Sequence, residues 1–189
     1  MFDPISGGMV LAAMAMAGHG HGPGERPGIT VTSREVSPDQ TIAAAQVYDR
    51  GGCTGGNVSP SLSWTGAPAG TRSYAVTVFD PDAPNGGKGW WHWIVYDIPA
   101  QVSDLPVGAG TLGRNLLPTG AHDGPNDFGR LGYGGPCPPA GNKPHRYIFT
   151  VYALDVASLD VPHGGPAAFG ARIKAHAIAS GTLTGIYGR

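Results

Sequence analysis

"HRYIFTVYALD", residues 145–155, is the stretch on which the fold turns. Alternate side chains of a pleated strand share a face, so His145, Tyr147, Phe149, Val151 and Ala153 point one way and Arg146, Ile148, Thr150, Tyr152 and Leu154 the other. Both faces are largely apolar, which suits an inner strand covered on both sides. The imidazole of His145 and the phenol of Tyr147 gather at one end of one face. Whatever else reaches that end defines a candidate site.

Working outward, "RSYAVTVFD" (72–80) sets Tyr74, Val76 and Val78 against Ala75, Thr77 and Phe79, and the turn-rich "PDAPNGGKG" follows it. "WWHWIVYDIP" (90–99) predicts another strand, stopped by Pro99. Antiparallel pairing of these two puts Asp80 and His92 on one rim. If the strand at 145 enters from the same rim, one carboxylate, two imidazoles and a phenol share one concavity. Pro81 and Pro84 stiffen the loop "DPDAP" above it, and the Ala83–Pro84 bond is a candidate for the cis form. "GYGGPCPPAG" (132–141) predicts a second rigid loop whose backbone N–H groups could form an anion-binding nest. Trp90, Trp91 and Trp93 supply apolar walls.

Elsewhere, "GITVTSREV" (28–36) and "SLSWTGAP" (61–68) predict strands, and "QTIAAAQVYD" (40–49) a strand or a short helix. Residues 100–144 are rich in Gly and Pro without periodicity, and predict a long irregular surface. "GPAAFGARIKAHAIASG" (165–181) carries Phe169, Ile173 and Ala177 at helical spacing, with Pro166 near its start and Gly181 past its end, so one amphipathic helix is expected there. "TLTGIYG" (182–188) predicts a last short strand. The fold class is all-β or mostly β.

The chain has 189 residues, enough for one domain with a sizeable core. Twelve basic and 13 acidic residues are scattered to a net charge of −1, so no electrostatic stripe exists for nucleic acid or an anionic membrane. No apolar run approaches the ~20 residues that span a bilayer. Residues 1–27 form a tail or targeting segment ahead of a domain at 28–189. Met9–Ala17 could be a short signal-peptide core, although a basic segment before it is missing. His19 and His21 could bind metal but more simply belong to a solvated Gly/His linker. The two cysteines, Cys53 in "GGCTGG" and Cys137 in "GGPCPP", both lie in glycine-rich loops. One disulfide in an oxidising compartment is preferred to two unrelated free thiols, which puts a periplasmic or secreted location ahead of a cytoplasmic one.

"NVSPSLSWTGAPAGTRSYAVTVFDPDAP" (57–84), "GWWHWIVYDIP" (89–99) and "GYGGPCPPAGNKPHRYIFTVYALD" (132–155) resemble the phosphatidylethanolamine-binding protein family, in its bacterial, Raf-kinase-inhibitor-like branch. The likeness runs from about Gly28 to the C-terminus. It implies a two-sheet antiparallel β-sandwich with Greek-key connections and a few peripheral helices, and a homodimer. It also implies a small pocket for phosphate, acetate or phosphoryl head groups. Matched by motif, its ligand-binding residues are Asp80, Asp82, His92, Pro138, His145 and Tyr147. The N-terminal segment has no counterpart in these blocks.

The leading functional expectation is a binding protein for a small anionic or phosphorylated ligand, acting on an enzyme partner or alone, with His92, His145 and Tyr147 donating to its oxygens. The alternative is an enzyme without metal or other cofactor, in which Asp80, His92 and His145 serve as general acid and base on a small carbonyl, ester or cyclising substrate. No Gly-x-Ser-x-Gly elbow or His-Glu-x-x-His pair is present. Metal binding by Asp80, His92 and His145 ranks below anion binding. Asp82 serves equally well as a turn cap, and Arg146, on the opposite face, as half of a surface or inter-subunit ion pair.

Overall fold

The structure, a computed structural model, describes residues 28–161 and 163–189. The tail at 1–27, with its signal-like segment, His19 and His21, lies outside the described residues. Eight strands and one helix occur among those described: β1 (Thr30–Thr32), β2 (Leu62–Thr65), β3 (Ser73–Asp80), β4 (Trp90–Pro99), β5 (Asp104–Leu105), β6 (His122–Asp123), β7 (His145–Leu154), α1 (Pro166–His176) and β8 (Ala177–Tyr187). They form two antiparallel sheets, β1-β2-β5 and β6-β4-β3-β7-β8. β7 carries the aromatic and β-branched residues of the 145–155 stretch, and is hydrogen-bonded on both edges, to β3 and β8. The long connection after β4 returns the chain to the far side of β3, as the sandwich topology requires.

The two sheets close on one apolar core. Val31, Leu62 and Trp64 from the small sheet meet Tyr74, Val76, Val78, Tyr147, Phe149 and Val151 from the large one. The outer face of the large sheet buries Ala75, Ile94 and Leu154 against Phe169 and Ile173 of α1. Both faces of β3 and β7 are therefore covered, which is why their sequences are apolar on both alternations.

Several local expectations are corrected. One helix, not a few, is present among the described residues, and it stops at His176. Helical spacing through Ala177 is overruled because Ala177, Ala179 and Gly181 pair with Leu154, Ala153 and Val151 of β7. Gly181 is needed for a close approach rather than a cap, since a Cβ there would collide with the Ile29 carbonyl. Residues 40–49 form turns and one isolated bridge at Thr41 instead of a strand or helix. The segment 100–144 is only partly surface: it includes β5 and β6 and buries Leu105, Ala109, Asn126 and Tyr133. No cis peptide bond occurs among the described residues, so Ala83–Pro84 is trans.

Candidate functional site

The rim where β3 ends and β4 and β7 begin holds a cavity of about 170 Å³. Strand alternation delivers Asp80 to it from β3, on the face of Tyr74, Val76 and Val78, and delivers His145 and Tyr147 from β7. His92 arrives differently. Simple alternation would put it on the side of Ile94, under the helix. The register jumps from Val78↔Trp93 to Phe79↔Trp91, leaving His92 as the extra residue of a β-bulge. Trp93 consequently faces the inter-sheet core, Trp91 the helix side, and His92 the cavity, its ring edge-on to that of Tyr147 at 5.1 Å between centroids.

A later segment bonds to the β4 backbone at the bulge. Asp127 donates its N–H to the Trp91 carbonyl (3.0 Å) and accepts the Trp91 N–H on Oδ2 (2.7 Å). Gly134 donates its N–H to the His92 carbonyl (2.9 Å). Between these clamps Phe128 is laid over the cavity, stacked on Tyr48 at 4.3 Å and edge-on to His92 at 5.3 Å. A side chain at Gly134 would collide with the Phe128 ring, and one at Gly135 with the Gln46 carbonyl, so these glycines serve close packing. Their N–H groups go to His92 and to Asn57 Oδ1 (2.8 Å), and Pro136, Pro138 and Pro139 have none. The expected anion nest over "GYGGPCPP" is thus not formed by Gly134 and Gly135: their donors are consumed internally.

Asp80 is buried beside His145, with Oδ2 2.8 Å from Nδ1, and its Oδ1 accepts the Asp82 N–H at 2.8 Å. This carboxylate fixes His145 with Nδ1 as donor and leaves Nε2 for chemistry. His92 is held with equal definition. Nδ1 stands 2.6 Å from the Gly134 carbonyl, which can only accept, so Nδ1 carries the proton. Burial pushes the His92 pKa down, against the pull of the Gly134 carbonyl and of Asp80. His92 is therefore a neutral imidazole near pH 7, with a lone pair on Nε2 that accepts, where the sequence alone suggested a donor.

Tyr147 presents a buried hydroxyl with no hydrogen-bond partner among the described residues, and so does the indole N–H of Trp90. Both residues line the cavity. Burial, then the charge of Asp80, pushes the Tyr147 pKa up, so the phenol stays a donor. Pro84, Phe128, Cys137, Pro138 and Pro139 make the apolar walls, with Pro84 and Pro139 exposed at the mouth. Cys137 is joined to Cys53, 84 residues earlier, in a disulfide.

Of the residues matched by motif, Asp80, His92, Pro138, His145 and Tyr147 are brought together, and Asp82 is not. Its carboxylate faces outward and is held by Arg146, at 2.9 Å to Nε and 2.8 Å to Nη2, with the Arg146 backbone N–H also at 2.9 Å. The Arg146 guanidinium hydrogen bonds hold the Asp82 carboxyl down at about 2. Pro81 takes the chain out of β3, so Asp82 no longer shares the inner face. Phe128 and the Trp90 indole donor were missed by sequence reasoning, which treated 100–144 as irregular and the tryptophans as walls. The one local signal was Asn126 in "PNDFGR", whose side chain accepts from the Phe128 and Arg130 N–H groups and so shapes the turn.

The family model described as phosphatidylethanolamine-binding protein matches residues 32–188. The chain belongs to the phosphatidylethanolamine-binding protein family. Its relatives include the UPF0098 proteins YbcL of Escherichia coli K12, 49% identical over 83% of this chain and 86% of that one, and YbhB of the same strain, 42% identical over 82% and 97%. The crystal structure of YbcL, described as a new member of the mammalian PEBP family, superposes with a TM-score of 0.82 at 48% identity, covering 85% of this chain and 98% of that one. A putative lipoprotein, LppC of Mycobacterium tuberculosis, is 45% identical over 59% of this chain and 50% of its own length. YbcL thus shares this sandwich.

Proposed function

We propose that this family member binds a small oxyanion, a phosphate or carboxylate or the phosphoryl head of a larger molecule, in the cavity at His92, His145 and Tyr147. The observation that carries the reading is the pair of unpartnered buried donors, Tyr147 O–H and Trp90 N–H, in the same recess as the Asp80–His145 pair. A buried donor left unpaired costs about 1–3 kcal/mol, a penalty that an acceptor oxygen relieves. Neutral His92 adds an acceptor, so a ligand carrying both acceptor oxygens and one acidic hydroxyl, as hydrogen phosphate does, matches the set. A volume of about 170 Å³ suits such a head group; drug-sized ligands occupy about 300–1,000 Å³. The rest of a larger ligand would leave past Pro84 and Pro139.

Calorimetric titration with inorganic phosphate tests this. Tyr147→Phe removes one donor without changing shape and should weaken binding roughly 5- to 150-fold, the equivalent of about 1–3 kcal/mol. Affinity unchanged from the unmodified protein in both Tyr147→Phe and His145→Ala would dispose of the proposal.

A second reading has its own support. Asp80 orients His145 as a carboxylate orients a catalytic imidazole, a geometry suited to general acid–base chemistry on a small carbonyl or ester. Turnover of an aldehyde or ester panel, abolished by Asp80→Asn, would favour it. Among the described residues no helix is long and apolar enough to cross a membrane. The Cys53–Cys137 bond and the lipoprotein name carried by LppC support a site of action outside the reducing cytoplasm.

A further inference from the structure

We infer that the Cys53–Cys137 disulfide is a redox-sensitive clasp on the cavity, so that the oxidised protein binds its ligand and the reduced protein loses affinity. The inference rests on the oxyanion reading above and adds a control to it. Cys137 is itself part of the cavity wall, between Pro136 and Pro138. The segment it belongs to does two things for the site: the Gly134 carbonyl fixes the proton on His92 Nδ1, and Pro138 and Pro139 form one side of the mouth.

The fastening of this segment is uneven. Up to Pro136 its backbone is held by hydrogen bonds: Gly134 N–H to His92 O, Gly135 N–H to the side-chain Oδ1 of Asn57, and Tyr48 N–H to Pro136 O at 3.1 Å. From Cys137 onward the prolines provide no N–H, and two ties reach across to the loop at 50–53. One is the disulfide, anchored at Cys53, which is buried with Val47 and Tyr48. The other is Arg189, whose Nε donates to the Pro138 carbonyl at 2.7 Å and whose Nη1 donates to the Gly52 carbonyl at 2.8 Å. Both ties join the same two loops. Past the wall, Gly141 donates its N–H to the Arg189 carbonyl at 2.9 Å, so removing the covalent tie leaves Arg189 as the residue that holds the proline wall against the loop at 50–53.

Cys137 is the more open of the two sulfurs and the one on the cavity side. A dithiol reductant attacks the disulfide through its thiolate, forms a mixed disulfide, and completes the exchange with its second thiol. It delivers two electrons and two protons, and leaves as a cyclic disulfide while Cys53 and Cys137 become thiols. Linkage makes the effect reciprocal: a ligand that prefers the clasped cavity must make the disulfide harder to reduce by the same factor.

The test compares oxidised protein with protein reduced by dithiothreitol, two free thiols being verified by titration and the retained fold by circular dichroism. Phosphate affinity by calorimetry should fall about fivefold or more on reduction, the scale of ordinary site-to-site coupling. Amide exchange should quicken at Tyr48, Gly134 and Gly135 and stay slow along β3. Arg189→Ala should enlarge both effects. Unchanged phosphate affinity in the reduced protein, or unchanged exchange at those three amides, overturns the clasp. If the oxidised protein binds no phosphate, the oxyanion reading fails, and amide exchange alone then decides whether the disulfide holds the wall. The Cys53→Ser/Cys137→Ser double variant, where it folds, must reproduce the reduced protein.

Discussion

Two hollows flank His145, and they are built from the same two strand ends with opposite results. On the inner side Asp80 is buried against the imidazole, among aromatic and proline walls. On the outer side Asp82, two residues on, meets the guanidinium of Arg146 in a shallow polar groove with Lys143 and Asn142. The two residues are joined by one bond, from the Asp82 backbone N–H to Asp80 Oδ1. What separates them is the end of β3: inner-face alternation persists to Asp80, and Pro81 then turns the chain outward. The inner carboxylate can orient a reactive ring because water is kept away from it, whereas the outer one acts as a solvated latch between the turn and β7.

The sharpest way to break this contrast is truncation of each acid. Asp80→Ala leaves the His145 Nδ1 donor buried without its partner and should cost about 1–3 kcal/mol in urea-unfolding stability. Equal losses at Asp80 and Asp82 would mean that burial does not distinguish the two sides. The next effect is read through pH. Unfolded His92 takes up a proton near 6.5, while the buried ring takes it up only at lower pH, because burial disfavours the charge. The stability from neutral His92 is therefore full above 6.5 and is lost as pH falls from there towards the folded value, with a slope approaching about 1.4 kcal/mol per unit. In His92→Gln this part of the slope should vanish, which denaturation midpoints between pH 7.5 and 5 will register.

Asp82→Ala should have the smallest effect, at most about 1 kcal/mol, since an exposed ion pair is solvated and screened by salt. The sign of its pH dependence is fixed by the depressed carboxyl. Its contribution is present above 3.8 and disappears only as pH falls through about 2. A loss of phosphate affinity in Asp82→Ala as large as that in Tyr147→Phe would return Asp82 to the binding site.

Much of this was legible in the chain. The period-two patterns of 72–80, 90–99 and 145–154 give the three central strands within a residue, because a strand covered on both faces must be apolar on both alternations. The ends of two of them give Asp80, His145 and Tyr147. The route by which His92 joins was not legible: a bulge adds one residue without any glycine or proline to announce it, and the strict pattern would have aimed this ring at the helix. Phe128 was hidden for a related reason. It reaches the cavity through Asp127 and Gly134 bonding to the backbone of Trp91 and His92, a contact between segments with no shared periodicity.

By itself the sequence determined the three central strands, the family likeness, and the residue types at the rim, since these follow from local alternation and from motifs read along the chain. Only the tertiary structure decided which of those residues face one another. It turned His92 inward and Asp82 outward, left Tyr147 and Trp90 with donors to spare, and made Cys137, of the disulfide the sequence led one to expect, part of the cavity wall. The physical reason is that burial and hydrogen-bond partnership depend on neighbours distant in sequence, and these set both the charge of an imidazole and the availability of a donor.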